Sequence, residues 1–319
     1  MPATVQELLE YTLVNISGLS EGKARTVSAR FDEVSVFLKE PKSGFKNLQY
    51  EGGRKLNFSE EELGRIRQLQ KSDILNPKAS PSQNFIAILG IDFLERQIRN
   101  IRSLRLESLN ANPLLIASLK LNTPKDIVRY FVYQAASRSI VTSMGYLVQD
   151  LLIHSGSDVY DGKDYPGANG AKWDLVKKDV KGVIAWLEIK SGPNDLDKGQ
   201  ILSYKKMIEE VERRNGKGFI GETYGKRNSK TMTHGLYEQY LEDWDTRTLI
   251  GKELWEFVSG DKDYPNKLVN LLRMSADKVL NSKTILQEMD ACVDRVLKEF
   301  IVTYGGSKDS VSLYLNSLW

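Results

Sequence analysis

The sequence predicts an α/β protein, in which a mixed β-sheet is flanked by helices and large helical additions extend it at both ends. Three observations support this fold class. The chain has 319 residues and 41% hydrophobic content, which is enough for a folded core. Helical periodicity dominates the first 120 or so residues, and in the middle of the chain the apolar pattern changes from helical to extended.

The N-terminal part is predicted to be mainly helical. Ser59 and Glu62 have the spacing of a capping box before an apolar-periodic stretch. A second strong helix start is found at Thr123 and Pro124, where a cap residue precedes a proline in the first turn. The apolar stripe that follows predicts one long helix ending at about Ile153.

Two strands are predicted after a loop rich in glycine and aspartate. The loop covers 156–170, and the strands cover roughly 171–177 and 183–191. The turn between them is expected at 179–182. These two strands therefore form a β-hairpin.

Helices and one more strand are predicted after the hairpin. A helix should begin after Pro193 and Asn194 and end around Asn215, and 218–224 has the pattern of a third strand. A basic loop follows, and then mainly helices, including one over LIGKELWEFVSG near Leu249.

Charged side chains share one face of the second predicted strand. Because side chains alternate across a strand, Glu188 and Lys190 point the same way as Trp186. Asp174 lies 14 residues before Glu188, an even separation centred on Lys181. An antiparallel hairpin that turns there places Asp174 across from Glu188.

This arrangement of two acids predicts a magnesium site. Two carboxylates within an apolar hairpin are costly to bury unless a divalent cation compensates their charge. Mg²⁺ needs only one or two carboxylates, keeps several waters, and suits metal-assisted attack of water on a phosphodiester. Lys190 would then orient or deprotonate the attacking water.

The bare acid-x-Lys pattern has an ordinary explanation, namely an exposed pair of charges on a sheet surface. Five such triplets occur in the chain. Only the triplet that ends at Lys190 lies in an apolar strand with a second acid placed on the neighbouring strand; the five end at Lys23, Lys42, Lys163, Lys181 and Lys190.

Asp174 together with Glu188, Ile189 and Lys190 resembles the signature of the PD-(D/E)XK nuclease superfamily. Gln200 and Tyr204 are similar to an accessory element on the helix after the motif strand, and at i and i+4 they would share a helix face. The resemblance implies a restriction-endonuclease-like core. Within the superfamily the chain most resembles type II restriction endonucleases.

The resemblance also implies partners and a reaction. Such enzymes hydrolyse both strands of a short symmetric double-stranded DNA site, using Mg²⁺ and one active centre from each subunit of a homodimer. Trp173 stands where the motif has proline. Many members have a further acid on the preceding helix, and Asp150 is the candidate here, with a solvated acid at the helix end as the alternative.

Candidate DNA contacts lie mainly in the basic loop YGKRNSKTMTH. Basic and amide side chains can clamp phosphates or read base edges. A solvated surface loop is the alternative explanation for the same residues. The candidates are Lys226, Arg227, Asn228 and Lys230 in the loop, with Arg138 on the long helix.

The sequence predicts no zinc site, no nucleotide cofactor and no membrane segment. Cys292 is the single cysteine and only two histidines occur, which excludes a disulfide framework and a Cys/His zinc site. The GLSEGK stretch is one residue short of a phosphate loop, so no nucleotide cofactor is predicted. A net charge of +3 is only weakly basic, and no membrane segment is visible, so a cytoplasmic protein is expected.

The expected organisation has three parts. Residues 1–122 form a helical region for DNA contact or dimerisation, 123–260 form the catalytic core, and 261–319 form helices packed on the core. Two other functions stay open: a structure-specific repair or recombination nuclease of the same superfamily, and a catalytically inactive DNA-binding protein. A chance match in an unrelated α/β protein is a third alternative.

Overall fold

Most of the chain is helical, and capping signals in the sequence set where the main helices begin. The computed structural model describes residues 3–46, 48–50, 52–165, 173–179, 181–192 and 196–319. Full capping boxes start α1, α5, α9 and α14 of the following helices. The helices are α1 Val5–Asn15, α2 Glu21–Ser28, α3 Val34–Lys39, α4 Lys42–Phe45, α5 Glu60–Lys71, α6 Pro81–Ser103, the 3-10 helix η1 Leu106–Leu109, α7 Pro113–Ser118, α8 Pro124–Ile153, α9 Lys198–Glu212, α10 Met232–Tyr240, α11 Trp244–Arg247, α12 Lys252–Ser259, α13 Tyr264–Leu280, α14 Ile285–Tyr304 and α15 Lys308–Ser317.

Within the described residues, five strands form one mixed sheet, and they lie between α8 and α12 along the chain. The strands stand side by side in sequence order, the first three antiparallel and the last three parallel. Helix α9 makes the crossover that a parallel pair requires between the third and fourth strands. The strands are β1 Val159–Asp161, β2 Leu175–Lys178, β3 Ile184–Lys190, β4 Lys217–Glu222 and β5 Thr248–Ile250.

The register of the β2–β3 hairpin confirms the predicted turn position. Leu175 pairs with Leu187 and Lys178 pairs with Ile184, so the hairpin is symmetric about Lys181. Leu175 and Leu187 are fully buried on one face of the sheet. The opposite face is therefore left for the charged side chains of β3.

The chain divides into two compact units. One comprises 1–92 with 145–275 and contains the sheet; the other comprises 93–144 with 276–319. The expected boundaries at 122 and 260 stay a prediction; helices α1–α5 fall in the same compact unit as the sheet. In the described ranges, no helix has the length and apolar character needed to cross a membrane.

Each unit has its own apolar core. On the sheet, α9 and α10 cover the β3–β4 surface with residues such as Ile201, Ile208 and Tyr237 around Ile220. In the second unit, α14 contributes Val296 and Phe300 to a core that also holds a stripe of α8. Burial of these side chains supplies the main stabilisation of both units.

The mixed α/β fold with a sheet flanked by helices is confirmed, with two corrections to individual elements. Residues 159–161 form strand β1 within what was expected to be loop 156–170. The start of the helix expected near Leu249 is strand β5, and α12 begins only at Lys252. Both missed strands are three residues long, too short to show the alternation that identifies a strand. Pro193 and Asn194, expected to precede α9, lie outside the described residues.

Candidate active site

Asp174 lies immediately before β2 and is held against the middle of β3. Its carboxylate oxygen Oδ2 accepts a hydrogen bond from the backbone N–H of Ile189 at 2.8 Å. Its own N–H donates to the carbonyl of Leu187 at 3.1 Å, and Gln149 of α8 donates to its carbonyl at 3.4 Å. The first contact orients the carboxylate, and the other two hold the backbone of Asp174.

Glu188 on β3 is the centre of a small hydrogen-bonded group. Its Oε1 accepts a hydrogen bond from Lys190 Nζ at 2.9 Å and one from the Tyr204 hydroxyl at 2.9 Å. Lys190 Nζ also lies 5.1 Å from the centre of the Tyr204 ring. The β3 alternation and the α9 crossover therefore bring an acid, an ammonium and a phenol together.

Burial shapes the protonation of this group. It raises the pKa of Glu188, and the charge of nearby Asp174 adds to that effect, while the hydrogen bonds from Lys190 and Tyr204 oppose it. Burial alone would lower the pKa of Lys190, but its bonds to Tyr204 and Glu188 outweigh burial and raise it. Lys190 therefore holds its proton at neutral pH.

The second oxygen of Glu188 fits the metal that the sequence predicts. Glu188 is only 8% exposed, and its buried Oε2 has no hydrogen-bond partner among the described residues. A buried carboxylate oxygen without a partner costs free energy unless a cation meets it. Within the described ranges no group of three or more Asp, Glu, His or Cys side chains could hold a metal. Two carboxylates would suit Mg²⁺, which keeps several of its waters.

Of the two predicted accessory residues on α9, the structure brings one to this group. Tyr204 reaches Glu188, as described above. Gln200 is exposed, and its side chain accepts from the N–H of Asp197 at 3.0 Å as part of the α9 capping box. Asp150, in the last turn of α8, is partly buried and next in sequence to Gln149, which bonds to Asp174.

The predicted DNA contacts fall into different environments. In the loop after β4, Lys226, Asn228 and Lys230 are exposed. Arg227 instead donates to Glu253 and to Thr248, and lies over the Trp244 ring at 5.4 Å. Its donors are thus engaged within the protein. Arg138 is exposed on α8, in the second compact unit.

A buried acid–histidine pair next to the candidate site was not predicted. Glu222 on β4 pairs with Lys190 in the parallel register and is fully buried. Its Oε2 lies 3.2 Å from Nε2 of His234, whose Nδ1 lies 2.8 Å from the carbonyl of Ser229. His234 therefore ties the basic loop to β4. An acid at the end of the apolar third strand was the sequence signal that could have revealed it.

The chain was compared with models of known protein families. The family model of type II restriction endonuclease EcoO109I matches residues 83–279, which include every strand of the sheet and the whole Glu188 group. No curated protein matches the chain. The matched region covers more than half of the sequence. The chain therefore belongs to the EcoO109I family of type II restriction endonucleases.

Proposed function

We propose that this protein hydrolyses both strands of a specific double-stranded DNA site in a magnesium-dependent reaction, with Asp174, Glu188 and Lys190 as its catalytic residues. The observation behind the proposal is the buried Glu188 carboxylate. One oxygen is held by Lys190 and Tyr204, and the other has no partner among the described residues. Family membership supports a nuclease but leaves the metal and these roles to experiment.

Asp174 and Glu188 would hold the metal between β2 and β3. The amide of Ile189 fixes Asp174, and the two donors on Oε1 fix Glu188, so both carboxylates are oriented before any ligand arrives. When bound, Mg²⁺ lowers the pKa of a coordinated water and polarises the scissile phosphate. Preorganised ligands avoid the cost of reorganisation during the reaction.

Lys190 would orient the attacking water and offset negative charge on the phosphate. Its Nζ donates to Glu188 Oε1 at 2.9 Å, and an ammonium donates hydrogen bonds and accepts none. Of the two roles that the sequence suggested, orientation of the water and proton abstraction, this hydrogen bond favours orientation. Tyr204 would assist by holding Glu188 in place.

The basic loop after β4 would contact the DNA backbone. Lys226, Asn228 and Lys230 are exposed on it, and ammonium groups bind phosphates without sequence preference. Arg138 is a further candidate on α8. A homodimer would supply the two active centres that a symmetric site requires, and sedimentation of the purified protein would measure its oligomeric state.

Plasmid cleavage tests the proposed function. The purified protein should convert plasmid DNA to discrete bands with Mg²⁺ and leave it intact with EDTA. Lys190→Ala should lower cleavage by about 1000-fold while DNA is still bound, because it removes a group that acts on the charge developing in the reaction. Lys181→Ala is the matched control, since it alters an exposed acid-x-Lys triplet at the other end of the same hairpin.

The outcomes separate the alternatives. Discrete fragments support a site-specific enzyme, whereas smeared or junction-specific products would indicate a repair or recombination nuclease. DNA binding without metal-dependent cleavage would indicate an inactive DNA-binding protein. Full activity in the Lys190→Ala variant would refute the catalytic assignment of that residue.

A further inference from the structure

Tyr224 is an exposed aromatic residue beside the candidate active site; it begins the basic loop YGKRNSKTMTH but is not among the DNA contacts predicted there. It follows the carboxyl end of β4, two residues after Glu222, the register partner of Lys190. The residue is 63% exposed. Its side chain offers an apolar ring and a hydroxyl that can donate a hydrogen bond.

The phenol end of Tyr224 rests on Gly192, just past the catalytic strand. A Cβ atom added at Gly192 would lie 2.3 Å from Tyr224 Cζ and 2.4 Å from its hydroxyl oxygen. Only a residue without a side chain permits this approach. The hydroxyl therefore lies against Gly192, which is two residues after Lys190 in the chain.

Thr223 anchors the chain next to this contact. Its N–H donates to the carbonyl of Lys190 at 3.0 Å, and its hydroxyl donates to the carbonyl of Ser191 at 2.6 Å. Trp255 donates to the Thr223 carbonyl at 2.8 Å. The backbone that positions Tyr224 is therefore bonded directly to the end of β3, and the phenol is exposed but not loosely placed.

Positive charge in the loop that Tyr224 begins indicates the kind of ligand. Lys226 and Lys230, two and six residues further along the chain, are both exposed. Two ammonium groups attract phosphates, and the non-bridging oxygens of a DNA phosphate only accept hydrogen bonds. A phenol hydroxyl can donate one.

We propose that Tyr224 is a substrate-contact residue, whose hydroxyl donates a hydrogen bond to a DNA backbone phosphate next to the one that is cleaved. Gly192 is the residue that positions it. The inference rests on the proposed function, since it assumes that the group around Glu188 acts on DNA. It adds to that function a neutral contact beside the charged ones.

The salt dependence of binding distinguishes this contact from an ionic one. The affinity of Tyr224→Phe for a duplex carrying a mapped cleavage site would be measured over a range of salt concentrations, with Ca²⁺ replacing Mg²⁺ and the DNA checked to stay uncut. Loss of a hydrogen bond to a charged group should weaken binding about tenfold. The slope of log K against log salt should not change, whereas Lys226→Met should reduce it by about 0.9.

Two further variants test the position of the hydroxyl. Tyr50→Phe removes a hydroxyl from a part-exposed tyrosine outside the sheet and should bind as the wild type does. Gly192→Ala should displace the Tyr224 ring and weaken binding about as much as Tyr224→Phe. Gly192 does not have a positive φ, so alanine does not strain the backbone there. Its direct effect is the clash of its Cβ with the Tyr224 ring. Once Tyr224→Ala is present, adding Gly192→Ala should have no further effect.

The results separate failure of this inference from failure of the proposed function. If the wild type binds and cuts DNA but Tyr224→Phe has unchanged affinity or a changed salt slope, the contact is refuted and the nuclease stands. Additive losses from Gly192→Ala and Tyr224→Ala would refute the positioning by Gly192. A wild type that neither binds nor cuts DNA refutes the proposed function itself.

Discussion

The two ends of the β2–β3 hairpin have the same acid-x-Lys pattern in different surroundings. At the turn, Asp179 and Lys181 are exposed, and Asp179 Oδ1 accepts the N–H groups of Lys181 and Val183, both at 2.8 Å. At the open end, Glu188 is buried and its Oε2 has no partner among the described residues.

The comparison shows what distinguishes a candidate site from a turn. An aspartate that caps backbone N–H groups already has partners for its charge, and water surrounds the rest of it. A buried carboxylate with an unused oxygen needs a cation. Burial together with an unmet hydrogen bond, and not the spacing of the charges, separates the two triplets.

The largest expected difference between the two ends is in cleavage. Glu188→Gln should lower the rate of plasmid cleavage by at least about 1000-fold, because a neutral amide replaces a charged metal ligand. Asp179→Asn keeps an oxygen that accepts the turn hydrogen bonds and should stay within about twofold of the wild type. Equal losses in both variants would remove the distinction between the ends.

A smaller effect is expected from the phenol that holds Glu188. Tyr204→Phe removes one of the two donors to Oε1. It should lower kcat about tenfold or less, since the donor acts on a metal ligand and not on the substrate, and should leave the Kd for DNA unchanged. Single-turnover cleavage and gel-shift binding measure the two effects. A weaker Kd with normal kcat would show that Tyr204 serves DNA binding instead.

The smallest effect is a drift of stability with pH. Burial raises the pKa of Glu188 above 4.5, the pKa of a glutamate in the unfolded chain. The folded protein therefore binds the Glu188 proton more tightly than the unfolded chain does. The stabilisation is complete below 4.5 and is lost as pH rises through the folded pKa. In EDTA, Glu188→Gln should therefore gain stability relative to the wild type from about pH 4 to about pH 7.

Urea unfolding at the two pH values measures this drift. Both proteins would be compared in EDTA, so that no cation offsets the charge of Glu188. The free energy of unfolding of the wild type would be subtracted from that of Glu188→Gln at each pH. If this difference does not change with pH, ionised Glu188 does not destabilise the folded protein. The contrast with the exposed turn would then lose its electrostatic basis.

Local signals in the sequence were sufficient for the main elements of the fold. The even separation of Asp174 and Glu188 gave the hairpin register, and Thr123 with Pro124 gave the start of α8. Strands β1 and β5 were missed because three residues show no period. Their pairing comes from neighbouring strands, which local patterns do not reveal.

In the candidate site, too, local sequence patterns predicted some contacts, while contacts between residues far apart in the chain were missed. Alternation along β3 predicted that Glu188 and Lys190 share a face, and the resemblance to the nuclease motif added Tyr204, which the structure bonds to Glu188. Gln200 was assigned to the site, although the Asp197-x-x-Gln200 capping signal was visible in the sequence. Arg227 is paired with Glu253, 26 residues away, and no local pattern predicts such a partner.

The hydrogen bond from Ile189 to Asp174 has a consequence for how the motif tolerates mutation. The middle position of the Glu-x-Lys triplet orients the aspartate through its backbone N–H, not through its side chain. Many residues should therefore be acceptable at 189 as long as they fit beside Gly221, which lies against the isoleucine. Proline is the exception, because it has no N–H to donate. A saturation library at this codon would thus retain a varied set of side chains and lose proline, the one residue without a backbone N–H.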